Sequence, residues 1–256
     1  MDRETFEREA ERVLQRADAE DVTLRLLGAL AFRRRCPRFG RLQDLMGRLF
    51  TDIDFAGYGR EVIGVRRVMS GLGYREDPGI YVESEGSRLI FEHPDIGIHA
   101  DVFLDKLEFC HTIGWNGRLE MDAHTIPLAE LVLEKMQIVE INEKDIIDTI
   151  MLLLEYPLEE QDRDAINIAH IARLCSRDWG LWRTTTMNLG KVQRLADRYP
   201  QLGDEEKRAI NGQVEGVLTR IEREPKSRKW RLRAVIGDRK KWYRDVGELG
   251  PIPGGI

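Results

Sequence analysis

The sequence predicts an α+β protein, in which a mixed sheet with its helices is followed by an all-helical C-terminal region. Strand-like segments, with short apolar runs or alternation, occur only before about residue 125. After Pro127 the apolar residues recur every three or four positions, which is the period of an amphipathic helix. This change of pattern divides the chain into a mixed α/β part, residues 1–125, and a helical part, residues 126–256.

The first part opens with a predicted amphipathic helix over Thr5–Ala19, because its apolar residues share one helical face. Strands are predicted where apolar residues alternate or run together before a turn, at Val22–Leu27, Thr51–Phe55, Gly97–Leu104 and Arg118–Ala123. A hairpin is predicted from Tyr81–Glu85 and Arg88–Glu92. Two further helices are predicted over Ala29–Arg35, closed before Pro37, and over Val62–Leu72, while Pro37–Arg48 is a connection.

After Pro127 every predicted element is a helix. These helices are Leu128–Met136, Ile146–Leu154, Ile166–Cys175, Trp179–Tyr199, Asp204–Arg223 and Arg228–Val246. Residues 218–256 hold 11 Lys and Arg against 5 Asp and Glu, although the whole chain carries a net charge of −5. Such a basic segment either contacts a polyanion or forms a helix with a solvated charged face and tryptophans turned to the core. We favour the second interpretation.

The composition describes an ordinary globular protein of 256 residues, 42% hydrophobic and 33% charged. No apolar run approaches the roughly 18 residues that cross a bilayer, and the charged N-terminus lacks the apolar stretch of a secretory signal. Cys36, Cys110 and Cys175 lack the spacing of a metal site, which predicts free thiols in a reducing compartment. We therefore expect a cytoplasmic protein without a membrane partner.

The most informative stretch is Thr51-Asp52-Ile53-Asp54-Phe55, in which two acidic residues alternate with apolar ones. In an extended strand Asp52 and Asp54 project to the same face, while their apolar neighbours pack on the other. Two fixed carboxylates a few ångströms apart repel each other unless a cation lies between them, and Mg²⁺ shared with substrate phosphates suits this arrangement. Asp101, on a later predicted strand, is placed to complete a three-carboxylate site.

A glycine turn after the first strand, an Asp-x-Asp pair on the next strand and a third acid on a later strand follow one another in this chain. The stretches concerned are Leu27-Gly28-Ala29-Leu30-Ala31, Arg48-x-x-Thr51-Asp52-Ile53-Asp54-Phe55, Ala100-Asp101-Val102-Phe103-Leu104, Leu131-x-x-Glu134-Lys135-Met136 and Lys144-Asp145-Ile146-Ile147-Asp148. Their order resembles that of the DNA polymerase β-type nucleotidyltransferase superfamily. Within it, the chain is most similar to the AbiEii-type and minimal nucleotidyltransferase-like proteins of bacteria. The resemblance covers roughly residues 20–155.

The resemblance implies a mixed-sheet nucleotidyltransferase core with two Mg²⁺ ions, and it makes Asp52, Asp54 and Asp101 both the metal ligands and the catalytic residues. It further implies that an NTP is bound by the glycine turn and by nearby side chains, namely Gly28, Ala29, Arg48, Thr51 and Lys135. Many members have Gly-Gly or Gly-Ser at the turn, whereas this chain has Gly28-Ala29. Backbone amides would then have to bind the phosphates without a serine hydroxyl. The longer interval before the acidic pair indicates an inserted loop over residues 36–47.

The implied activity is the Mg²⁺-dependent transfer of a nucleoside monophosphate from an NTP to an acceptor hydroxyl. The acceptor is RNA, including tRNA, or a small molecule, and an antitoxin-like protein is an implied partner. Two other classes stay open: a catalytically silent nucleotide-binding module or partner subunit with the same fold, and a hydrolase of phosphate esters. Three mutually repelling carboxylates argue against the silent module, since binding alone does not require them.

Overall fold

The computed structural model describes residues 2–245, and in this part of the chain five strands form one central sheet. The strands are β1 (Leu24–Leu27), β2 (Asp52–Gly57), β3 (Arg75–Glu76), β4 (Arg88–His93) and β5 (Ile98–Leu104). They lie side by side in the order β1-β2-β5-β4-β3. Strands β2 and β5 are parallel, and the other neighbours are antiparallel. The sheet is therefore mixed, as the sequence predicts.

The two faces of this sheet differ sharply in polarity. The helices of this half are α1 (Arg3–Ala19), α2 (Gly28–Arg35), α3 (Arg41–Leu45), α4 (Val62–Gly71) and α5 (Pro78–Glu83). Helix α1 packs against β1, β2 and α4. Ile53 and Phe55 of β2, with Ala100 and Val102 of β5, are completely buried on one face. Because side chains alternate along a strand, the intervening acidic residues lie on the opposite face, which is more open.

The C-terminal half is helical, as predicted. Its helices are α6 (Leu128–Met136), α7 (Glu143–Glu155), α8 (Ile168–Arg177), α9 (Trp179–Arg198), α10 (Asp204–Arg223) and α11 (Arg228–Ile236). Short strands not predicted from the sequence are β6 (Lys106–Glu108), β7 (Thr112–Gly114), β8 (Leu158–Glu159) and β9 (Ile166–Asn167). Helix α11 is shorter than predicted, since it ends before Gly237, whose φ is +59°. The predicted end at Val246 lies outside the described residues.

Many of the helices begin where a short polar side chain accepts a backbone N–H of the first turn. The capping residues are Asp2, Asp77, Asn142, Asn167, Asp178 and Ser227. A cap of this kind satisfies a donor that has no partner within the helix and stabilises it by about 1 kcal/mol. Local sequence therefore sets where these helices start.

Two predicted elements are wrong. Residues 81–85 are not the first arm of a hairpin, because Asp77 caps a helix there and Pro78 occupies its first position, giving α5. Strand β4 does form, but its antiparallel partners are β3 and β5. The predicted strand Arg118–Ala123 is instead a 3₁₀ turn over Leu119–Met121.

The two halves of the chain share one apolar core. A single cluster of buried side chains extends from Phe6 in α1 to Ile221 in α10. At the predicted boundary, the Leu26 amide donates to the carbonyl of His124 at 2.9 Å, and the Ile126 amide donates to the carbonyl of Leu26 at 2.9 Å. Helix α2 packs against α6 and α7. The division at residue 125 stays a prediction.

The basic C-terminal segment is anchored by aromatic rings. Trp230 of α11 packs edge-to-face on Trp182 with ring centroids 5.1 Å apart, and Trp242 packs on Trp179 at 6.1 Å. The indole of Trp242 also donates to Thr184 Oγ1 at 3.0 Å. These tryptophans face the protein, so their rings are engaged in packing.

None of the helices within residues 2–245 has both the length and the apolar content that spanning a bilayer requires. The three cysteines, Cys36, Cys110 and Cys175, are buried free thiols, as expected. Burial raises the pKa of Cys175 to about 12, so this thiol stays protonated at neutral pH.

Candidate active site

The sheet register brings the predicted acidic residues onto one face. In the parallel pair of β2 and β5, Asp54 lies directly opposite Asp101, and Asp52 lies opposite His99. Residues paired across neighbouring strands project to the same side, about 5 Å apart. Asp52, Asp54 and Asp101 therefore share the open face of the sheet, which we call the acidic face.

Asp54 occupies the centre of the acidic face, against the turn between β1 and α2. A Cβ atom added to Gly28 would lie 2.2 Å from Asp54 Oδ2, and Gly28 has a φ of +69°. Only glycine therefore fits at the start of α2. Burial, followed by repulsion from Asp52, Asp101 and Glu134, raises the pKa of Asp54 well above its ordinary value. The ionised form of Asp54 is therefore disfavoured by burial and by the neighbouring carboxylates.

Asp101 is the most buried of the three acids, with 8% of its surface exposed, and it is bound by an arginine. Arg88 Nη2 of β4 donates to Asp101 Oδ2. The same guanidinium lies over the ring of Phe103, 5.1 Å from its centroid. Burial raises the pKa of Asp101, although Arg88 opposes the shift. One of the three predicted metal ligands thus has an internal counter-ion.

Asp52 is exposed at the beginning of β2. The hydroxyl of Thr51 donates to Asp52 Oδ1 at 3.1 Å, so the structure places Thr51 beside the acidic pair. The role of Thr51 in nucleotide binding stays a prediction.

Within residues 2–245, no three His, Cys, Asp or Glu side chains converge closely enough, as they stand, to enclose a metal ion. At the acidic face, Asp101 is turned toward Arg88 and Asp54 lies against Gly28. The donor set nonetheless fits Mg²⁺ in its chemistry, because it consists of carboxylate oxygens on one rigid face. Burial and then repulsion from the neighbouring carboxylates raise the pKa of Asp54, and a divalent cation bound there would offset that repulsion.

The turn at Gly28 is held from inside the protein. The Gly28 amide donates to both carboxylate oxygens of Glu134 in α6, at 3.2 Å each. Gln43 Nε2 donates to the carbonyl of Ala29 at 3.3 Å. The first N–H of α2, which the sequence assigned to phosphate binding, therefore binds a protein carboxylate. The roles of Gly28 and Ala29 in nucleotide binding stay predictions.

Behind the turn lies a buried group of charged side chains, which we call the ionic cluster; it consists of Arg48, Glu134, Lys135, Asp145 and Asp148. Lys135 Nζ lies 3.2 Å from Asp145, 3.3 Å from Glu134 and 3.7 Å from Asp148. Burial alone would lower the pKa of Lys135, but the three carboxylates outweigh it and raise the pKa above its ordinary value. Lys135 is therefore a permanent internal cation.

Arg48 supplies the second cation of the ionic cluster. Its Nη2 lies 3.2 Å from Asp148 Oδ2, and Gln43 Nε2 donates to Asp148 Oδ1 at 2.8 Å. Asp148 is completely buried, and burial raises its pKa although Lys135 and Arg48 oppose the shift. Arg48, predicted to contact nucleotide, thus pairs with a carboxylate behind the turn.

Some residues of this site were not assigned roles from the sequence. Glu134, Asp145 and Asp148 stand in the quoted stretches, and residues three apart on a helix share a face, which is the available signal for the last two. Arg88 and Ile90 are two residues apart along β4, so strand periodicity puts both on the same face. Its proximity to Asp101 depends on the antiparallel register of β4 and β5, which the sequence does not show.

Glu134 provides a pH-dependent test of this arrangement. Burial, opposed by Lys135 and the Gly28 amide, raises the pKa of Glu134 from 4.5 to about 7. Because the native state binds this proton more tightly, the associated stability is complete below pH 4.5 and is lost as pH rises through about 7. Glu134→Gln removes the titration, so the free energy of unfolding of the variant should improve relative to the wild type between pH 5 and pH 8. Urea unfolding at pH 5 and pH 8 measures the free energy of unfolding of the variant and of the wild type. If the variant differs from the wild type by the same amount at both pH values, the expectation is wrong.

Comparisons of this chain with models of known protein families, with curated proteins and with solved structures found no match. The resemblance to nucleotidyltransferases therefore rests on the sequence stretches quoted above. Any assignment of function has to come from those stretches and from the geometry of the acidic face.

Proposed function

We propose that this chain is a Mg²⁺-dependent nucleotidyltransferase, which transfers a nucleoside monophosphate from an NTP to an acceptor hydroxyl. The observation that carries the proposal is the register of β2 and β5, which sets Asp54 opposite Asp101 with Asp52 on the same open face. Rigid neighbouring strands hold these carboxylates together despite their mutual repulsion. Residues kept in such an unfavourable arrangement are typical of functional sites.

In this reaction the acceptor oxygen bonds to the α-phosphorus of the NTP, the bond to pyrophosphate breaks, and the hydroxyl gives up its proton. Asp52, Asp54 and Asp101 would hold the divalent cations. Bound there, two Mg²⁺ ions supply charge neutralisation for the phosphates and Lewis-acid activation. Asp101, a carboxylate on the same face, would also receive the hydroxyl proton.

The turn at Gly28 and the ionic cluster would position these carboxylates. The absent side chain of Gly28 lets Asp54 lie directly against the start of α2. Glu134 fixes that turn from behind, and Lys135 holds Glu134 in place. With 8% of its surface exposed, Lys135 is better placed to support the turn than to reach a triphosphate. Its direct contact with nucleotide stays a prediction, as does that of Arg48.

The alternative is a catalytically silent nucleotide-binding module or partner subunit. Two contacts favour it: Arg88 neutralises Asp101, and Glu134 binds the Gly28 amide. Both contacts satisfy groups that catalysis would need, without any ligand. A protein that binds nucleotide without catalysis would keep both contacts whether or not nucleotide is bound.

Incubation with each α-³²P-labelled NTP and Mg²⁺, in the presence of total RNA or a panel of small molecules, tests the proposal. We expect label to be transferred to one acceptor class and transfer to be lost in Asp52→Asn and Asp101→Asn. Tight NTP binding without transfer would support the silent module. Hydrolysis of phosphate esters without label transfer would support a hydrolase.

The acceptor, RNA including tRNA or a small molecule, is part of the proposal. Lys229 and Lys240 are exposed, and neither forms an ion pair within residues 2–245. If RNA is the acceptor, its binding should weaken steeply with salt and in Lys229→Ala/Lys240→Ala, because each phosphate contact releases counter-ions. An antitoxin-like protein partner and a cytoplasmic location are likewise proposals, supported by the sequence resemblance and composition alone.

A further inference from the structure

Arg88 stands apart from the other cations near the acidic face. Among residues 2–245, no other Lys or Arg forms an ion pair with Asp52, Asp54 or Asp101. Lys135 and Arg48 are committed to the ionic cluster behind the Gly28 turn. Arg88 is therefore the one cation within residues 2–245 that forms an ion pair with any of these three aspartates.

The guanidinium of Arg88 is held in place, but not all of its N–H donors form hydrogen bonds within the described residues. Its Nη2 donates to Asp101, while its Nε is buried and has no hydrogen-bond partner within the described residues. The ring of Phe103 supports the planar group from one side. An arginine that is oriented this way and keeps unused donors is suited to bind a phosphate through a two-pronged contact.

Arg88 and a divalent cation compete for the same carboxylate. A second positive charge near Asp101 would repel the guanidinium by an amount that, at a few ångströms, far exceeds thermal energy. A guanidinium displaced from Asp101 would remain on the open face, tethered to β4. The ligand with complementary charge on that face would be a substrate phosphate.

We propose that Arg88 is an exchangeable counter-ion: it holds Asp101 when no divalent cation is bound, and it passes to a phosphate of the nucleotide when the cation takes Asp101. This inference rests on the proposed function and adds a nucleotide-binding residue to it. The exchange keeps the acidic face neutralised in both states, so the carboxylates are never left without a nearby positive charge. It also makes cation binding and nucleotide binding mutually dependent.

The first arm of the test measures metal binding alone, with Mn²⁺ followed by electron paramagnetic resonance. Arg88→Gln removes the competing charge and should bind Mn²⁺ about tenfold more tightly than the wild type. Arg88→Lys keeps the charge and should bind Mn²⁺ as the wild type does. Arg66→Gln is a matched control, because Arg66 also pairs with a carboxylate, Glu76, and stacks on an aromatic ring, Tyr81. It should leave Mn²⁺ affinity unchanged.

The second arm measures binding of the non-transferable α,β-methylene analogues of the four NTPs with Mn²⁺ present. Arg88→Gln should weaken binding of the preferred analogue about 10- to 100-fold, and Arg88→Lys should weaken it less, since lysine lacks the planar fork. A purely structural arginine would lower thermal stability without raising Mn²⁺ affinity, and that result would overturn the inference.

The two arms separate this inference from the proposed function. Wild-type transfer activity with unchanged Mn²⁺ and analogue binding in Arg88→Gln would overturn the exchange but keep the function. If Arg88→Gln binds Mn²⁺ more tightly and the analogue more weakly, but the wild type transfers no label to any acceptor, the exchange is supported and the proposed function is overturned. Failure of every variant to bind Mn²⁺ would overturn both.

Discussion

Replacing Asp54 by asparagine is expected to lower nucleotidyl transfer by about a thousandfold, or about 4 kcal/mol of transition-state stabilisation, while the protein stays folded. Asparagine retains the shape that fits against Gly28 but removes one negative charge. The free energy of unfolding should rise, because repulsion from Asp52, Asp101 and Glu134 is removed. Burial and this repulsion raise the pKa of Asp54 from 3.8, so the native state loses stability as pH rises above that value. The gain in stability should therefore be larger at pH 8 than at pH 5.

Glu92→Gln provides the matched control for this substitution. Glu92 is exposed on β4, on the acidic face, where it lies opposite His99. Its replacement should change transfer by less than about twofold, since isolated surface charges contribute little. Undiminished transfer by Asp54→Asn would show that the acidic face is not the catalytic site. A decrease in its stability at pH 8 would show that the Asp54 carboxylate has an attractive partner.

The helices were the most predictable part of the fold. The sequence predicts the bounds of α6 and α10 correctly, because their apolar spacing runs without interruption. The strand predicted at residues 81–85 is wrong because a segment this short, with only Tyr81 and Val82 apolar, fits a strand or a helix turn equally well. There the local cap at Asp77 decided the outcome. Strands β8 and β9 have two residues each, which is too short for any periodicity to show.

Strand alternation and the order of the motifs were sufficient to predict that Asp52, Asp54 and Asp101 share one face of the sheet. Alternation puts Asp52 and Asp54 on one face, and the strand order then brings Asp101 beside them. The positive charges that neutralise carboxylates of the acidic face and of the ionic cluster could not be predicted in the same way, because they come from other helices and strands. Arg88 meets Asp101 through the register of β4 against β5, and Lys135 meets Asp148 through the packing of α6 against α7. Such long-range pairings leave no local pattern in a single sequence.

Replacing Lys135 by methionine is expected to destabilise the protein by about 3–5 kcal/mol, the usual cost of leaving buried charges without their partner. Methionine keeps a long apolar side chain beside Phe32, whose ring centroid lies 5.4 Å from Lys135 Nζ. The loss of stability therefore measures the contribution of the Lys135 charge, which neutralises Glu134, Asp145 and Asp148. Urea unfolding at pH 7.5 measures it, and transfer activity should fall as well, because Glu134 holds the Gly28 turn.

Two comparisons separate charge from packing in this experiment. Lys144→Met removes an exposed lysine at the start of α7 and should change stability by less than about 0.5 kcal/mol. The effect of Lys135→Met should shrink at pH 5, because the raised pKa of Glu134, about 7, lets that carboxyl take up a proton and lose its uncompensated charge. A loss of equal size at pH 5 and pH 7.5 would mean that Lys135 acts through packing. In that case the ionic cluster would not be what holds the Gly28 turn against Asp54.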